Sequence, residues 1–105
     1  MSYDDNPYYN PEKRGLTIVA EGDDPDASYS FDMFVVWTDG ESLFYAQDSG
    51  CSCPSPFEDV EPVRATKDAI YRAIDEWVGG QYGNVGDWHQ VGLKLKSAVR
   101  DWRAS

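Results

Sequence analysis

The feature that most constrains this chain of 105 residues is the run at 29–37, where Met33, Phe34, Val35, Val36 and Trp37 follow one another without a polar break. A short run rich in β-branched and aromatic residues specifies a strand. Asp39-Gly40 stands where a two-residue type I′ hairpin turn belongs, and 42–48 returns as the partner strand. With that turn Thr38 opposes Glu41, Val36 faces Leu43, Val35 faces Phe44 and Phe34 faces Tyr45. Alternation then places Met33, Val35, Trp37, Phe44 and Ala46 on one face, and Phe34, Val36, Leu43 and Tyr45 on the other. An antiparallel sheet with one wet face interleaves polar residues. Here both faces are apolar, so each needs a cover. The helical second half of the chain is the candidate for one face. A tyrosine-rich N-terminal stretch, or a second subunit in a homodimer, is the candidate for the other.

The remaining elements follow from pattern. Residues 1–15, with two Asn-Pro steps and Tyr3, Tyr8 and Tyr9, read as an extended arm, because the residue before a proline avoids helical geometry. Thr17, Ile18 and Val19 mark a strand at 16–21. The acidic loop after it lacks the spaced ligands of a calcium-binding loop and reads as a solvated turn. Residues 58–65 read as an acidic linker. Thr66 N-caps a helix over 67–78, whose stripe of Ile70, Ile74 and Trp77 turns inward, and Gly79-Gly80 ends it. Asp87 and Gln90 open a second helix as a capping box; over 88–102 it turns Trp88, Val91, Leu95, Val99 and Trp102 to the core. The expectation is an arm at 1–15 and one α+β domain at 16–105: a three-stranded antiparallel meander (16–21, 29–37, 42–48) with two helices (67–78, 88–102) packed on one face.

Charge narrows the partners. The net charge is −10, and residues 1–62 hold fourteen of the nineteen acidic groups but two of the nine basic ones. Binding to nucleic-acid phosphates, or to an anionic membrane surface, needs Lys and Arg that the first half lacks. The acidic half serves solubility alone or, on the other reading, attracts a basic partner, including a DNA-binding protein for which the chain acts as an acidic nucleic-acid mimic. The longest apolar run is far too short to span a bilayer, and the N-terminus carries no apolar signal segment. Two cysteines without a secretory signal fit a reducing cytoplasm.

Chemistry-bearing residues are few. Cys51 and Cys53 lie in Asp48-Ser49-Gly50-Cys51-Ser52-Cys53-Pro54-Ser55-Pro56-Phe57. This stretch reads as a proline-fixed structural corner, with a thiol or zinc module as the alternative. A structural zinc needs four ligands, and His89 is the only other soft ligand in the chain, so a zinc site requires pooling thiolates from two copies. One histidine gives little basis for a nucleophile–base pair, and there is no phosphate-binding glycine loop, so no enzymatic activity is expected. On the second helix His89, Leu93, Lys96 and Arg100 line up away from the core at 100° per residue. An apolar residue among basic ones marks this stripe as a candidate interaction surface.

Tyr3-Asp4-Asp5-Asn6-Pro7-Tyr8-Tyr9-Asn10-Pro11-Glu12-Lys13 with Gly15-Leu16, the strand Phe34-Val35-Val36-Trp37 with Phe44-Tyr45, and the Asp48–Phe57 stretch together resemble a family of small acidic proteins of unknown function from bacteriophages of actinobacteria. The resemblance covers roughly the first sixty residues. It implies no catalytic residues. It implies a phage accessory protein acting in the cytoplasm of the infected host cell, where it binds a host or phage protein.

Overall fold

The computed structural model describes residues 8, 11–23, 30–51, 61–80 and 85–104. These form an α+β fold: a four-stranded antiparallel sheet in the order β1-β2-β3-β4, followed by two helices. The strands are β1 (Thr17–Asp23), β2 (Ser30–Thr38), β3 (Leu43–Cys51) and β4 (Val63–Ala65); the helices are α1 (Lys67–Gly79) and α2 (Val85–Asp101).

β4 adds a strand to the expected three. It falls in the stretch read as a linker and pairs Leu43 with Ala65, Phe44 with Arg64 and Tyr45 with Val63. Three residues are too few to show a period, and both Val63 and Arg64 are exposed, so the pairing leaves no hydrophobic signature.

The β2–β3 register also differs. Thr38 lies opposite Leu43, Trp37 opposite Phe44, Val36 opposite Tyr45 and Val35 opposite Ala46. The connection is therefore the four residues 39–42, not a two-residue turn. Asp39 accounts for this: one carboxylate oxygen accepts from the amides of Glu41 (2.9 Å) and Ser42 (2.8 Å), a local turn that competes with the tight hairpin. Gly40 completes it at φ 100°. The register moves by two residues, which equals the side-chain period, so both faces keep the membership expected of them.

One face meets the helices. Phe34, Val36 and Leu43 join Ile70, Ile74, Trp77, Trp88, Leu95 and Val99 in a single buried cluster. Trp77 packs edge-on to Trp88 (5.0 Å between centroids), and Phe34 stacks on Tyr45 at 5.5 Å. The indole N–H of Trp77 donates to Asp32 at 2.8 Å, so the buried ring keeps its polar bond. A bulge between Ile18 and Ala20 sends Ile18 to the far face and leaves Val19 and Ala20 on the helix face. At Gly22 a Cβ would stand 2.8 Å from Val91 Cγ1 and 2.9 Å from Leu95 Cδ1, so α2 sits directly on the β1 backbone.

The far face buries Met33, Val35, Trp37 and Ala46, with Tyr8, Leu16, Ile18 and Phe44 packed against them. Tyr8 comes from the tyrosine-rich N-terminal stretch, one of the two covers expected, and Leu16 stands just before β1. Within the arm expected at 1–15, Pro11–Arg14 forms one turn of 3-10 helix. A proline is tolerated at the start of a helical turn, where its missing N–H would find no partner anyway.

Thr66 N-caps α1, accepting from the Ala69 amide at 3.2 Å, and the Gly80 amide donates back to the Glu76 carbonyl at 3.1 Å. α2 begins at Val85, two residues before the expected cap, so Asp87 lies inside the helix instead of at its N-cap. No helix among the described residues is long and apolar enough to cross a membrane.

Candidate functional site

The outer surface of the helix pair holds three of the four residues singled out on α2. Leu93, Lys96 and Arg100 line an open groove of about 350 Å³ together with Ser97 and with Tyr71 of α1. Leu93 is 47% exposed, and its only peer among the described large apolar residues is Val63. It is outward because α2 turns Trp88, Leu95 and Val99 inward, and Leu93 falls on the opposite arc. His89 is exposed on the same helix but does not line the groove.

The charged rim is partly organised. Lys96 forms an ion pair with Asp75 of α1, bridging the two helices. Arg100 reaches the Asp101 carboxylate (3.3 Å) and the Ser97 hydroxyl (3.4 Å) from a largely exposed position. Exposed pairs like these are worth about 0–1 kcal/mol, so a partner's carboxylate can displace them at small cost. The groove therefore offers an aliphatic and aromatic floor with two cations at its rim. That suits an apolar side chain flanked by acidic groups.

Tyr71 and Asp75 were not legible as parts of this surface. Tyr71 sits beside the core residue Ile70 and is half-buried, so helical spacing assigns it to the edge of the core stripe. Asp75 meets Lys96, twenty-one positions on, only because α1 and α2 are packed together, and no local spacing rule predicts that.

A larger hollow of about 500 Å³ lies between the β2–β3 connection, β4 and the start of α1, lined by Leu43, Arg64, Lys67 and Trp102 among others. Its lysine is committed to structure. The Lys67 ammonium donates to the carbonyls of Arg100 (2.9 Å) and Trp102 (2.8 Å), satisfying the C-terminus of α2. The smaller helix groove, with the exposed Leu93 in its lining, is the better candidate surface.

Cys51 is the last residue of β3, its backbone paired with Ser30; Cys53 lies outside the described residues. Among the described residues no three His, Cys, Asp or Glu side chains gather as a metal-binding group.

A family model described as a domain of unknown function (DUF7574) matches residues 5–99. The chain belongs to this family. The DUF7574 match runs well beyond the stretch that carries the sequence resemblance, through β4, α1 and all but the last two residues of α2. No curated protein and no solved structure matches the chain.

Proposed function

We propose that this DUF7574 chain is a non-enzymatic protein–protein interaction module whose α1–α2 groove binds a segment carrying an apolar anchor between acidic residues. The observation that supports this reading most is Leu93, half exposed over Tyr71 with Lys96 and Arg100 beside it. A single exposed leucine is ordinary on a protein surface. This one forms the floor of a groove, and basic groups rim it on a chain of net charge −10. Apolar grooves with charged rims are a common way to seat an amphipathic segment, the floor giving affinity and the rim giving orientation.

The resemblance to phage proteins supports a setting inside an infected actinobacterial cell, with a host or phage protein as the occupant. Tagged wild-type protein, Leu93→Asp and Arg100→Glu would be passed through host lysate side by side. The expected outcome is a partner retained by wild type, lost with Leu93→Asp and weakened at least about tenfold by Arg100→Glu, with binding that declines as salt rises. A partner held equally by all three proteins assigns the interaction to another surface and removes the reading.

A further inference from the structure

The two helices present opposite charge on either side of the groove. They run antiparallel: Lys67 reaches the carbonyls of Arg100 and Trp102, Asp75 meets Lys96, and Val78 lies against Gly92. On the outer side of α1 the exposed charges are Asp68, Arg72 and Asp75. Glu76 is on the other flank, where it lines a hollow with Tyr45 and Gln47 of β3. On α2 the charges beside the groove are Lys96 and Arg100, followed by Asp101. Apart from Arg72 and Asp101, one on each helix, α1 is acidic here and α2 basic.

Tyr71 stands between two of the carboxylates, three residues after Asp68 and four before Asp75, positions that share one face of a helix. This is the pattern the groove suits, an apolar side chain flanked by acidic groups. Tyr71 is half-buried and lines the groove with Leu93. One surface thus carries both halves of a contact: cations with an exposed leucine on α2, and an aromatic ring between acids on α1. A two-fold axis parallel to the helices sets α1 of one copy on α2 of the other, so each half meets its complement. An axis at right angles to the helices sets α1 on α1, and acid opposes acid. A helix of the length of α1 is about 20 Å long and two abreast are about 20 Å wide, giving a face of roughly 400 Å² per copy. An interface of about twice that area in total belongs to the weak, reversible class.

We propose that the outer face of α1 and α2 is a self-association surface, on which a second copy of this chain docks with its α1 on α2 and its α2 on α1. Leu93 then packs beside the partner's Tyr71, and Lys96 lies between its own Asp75 and the partner's Asp75. The dimer rests on the binding role proposed for the groove and gives that groove a named occupant. A contact of this size is weak enough for a tighter partner to displace it.

Sedimentation equilibrium of the full chain at low salt, from about 10 to 500 µM, is expected to show monomer passing into dimer. Leu93→Asp is expected to raise the dissociation constant about tenfold or more. Asp75→Lys and Lys96→Glu each set like charges at the contact and are expected to do the same. Mixed in equal amounts, these two variants are expected to pair with each other at close to wild-type strength, because each reversed residue then meets the other's. An ion pair confined within one chain cannot give that recovery. Far-UV circular dichroism checks that each variant is folded. Wild type that stays monomeric throughout overturns the proposal; if Leu93→Asp still loses a partner from host lysate, the groove stands as a binding surface without it. A dimer indifferent to Leu93→Asp, or a mixture that pairs no better than its components, overturns it as well.

Discussion

Gly22 shows how much a single residue decides. In an open strand, replacing glycine with alanine reduces the entropy lost on folding and stabilises by about 0.5–1 kcal/mol. At Gly22 the added carbon would press against Val91 Cγ1 and the buried Leu95. Valine is stiff at χ1 in a helix, and Leu95 is enclosed, so the relief must come from α2 moving off the sheet. Gly22→Ala is therefore expected to destabilise, by about 1–3 kcal/mol on the usual cost of overpacking. Urea unfolding monitored by tryptophan fluorescence reads the sign directly, and stabilisation would mean that α2 is not seated on this strand.

Two carboxylates carry a pH dependence at the same scale. The Ser42 and Glu41 amides hold Asp39 below its ordinary pKa, and the hydrogen bond from Arg14 does the same for Glu61. A carboxylate with a lowered folded pKa contributes stability that is complete above its unfolded value. That contribution is lost as pH falls through the folded value. The melting temperature is thus expected to drop below about pH 4, the ordinary carboxylate range. An Asp39→Asn/Glu61→Gln variant should show a shallower drop over that window. Equal slopes in the two proteins would place the acid sensitivity elsewhere.

At the scale of elements, α1 was legible from end to end because its signals are local. Thr66, the stripe of Ile70, Ile74 and Trp77, and Gly79-Gly80 each act within a turn or two of where they stand. Thr66 is exposed, and its hydroxyl meets the Ala69 amide, so Thr66→Ala is expected to cost about 1 kcal/mol in chemical denaturation. Thr66→Asp, which restores an acceptor at the helix N-terminus, should recover most of it; failure to recover would show that the threonine acts through packing instead. The start of α2 was misread because Asp87 and Gln90 have capping-box spacing, but the helix already runs from Val85. The β2–β3 connection was misread because Asp-Gly favours a tight turn by composition, while here the aspartate carboxylate organises a longer one. β4 was invisible because its evidence is a partner strand, not a pattern.

At the scale of the molecule, the charge asymmetry of the chain separates β1–β3, which hold acidic groups and no basic ones, from the helices, where the two signs balance. The acidic first half supplies β1, β2 and β3, while most of the basic groups lie in β4, α1, α2 and the residues after them. A surface carrying Lys96 and Arg100 on such a chain is local, and its attraction for acidic partners acts over about 10 Å or less at ordinary salt. That distance is enough for a groove to orient a segment, and too short to attract acidic partners to the molecule as a whole.

Neighbours along the chain were enough to specify the α+β class, the apolar membership of both sheet faces, the first helix with its cap, and the outward stripe on α2. Face membership held even though the register did not, because a shift of two residues leaves every side chain on its side. The tertiary structure alone decided what depends on residues far apart. It brought Tyr71 and Asp75 to Leu93 and Lys96, set α2 on the backbone of Gly22, gave Val63–Ala65 a strand to pair with, and joined Arg14 to Glu61 across forty-seven positions. Periodicity records which side of an element is apolar. It carries no record of which element will come to lie against it.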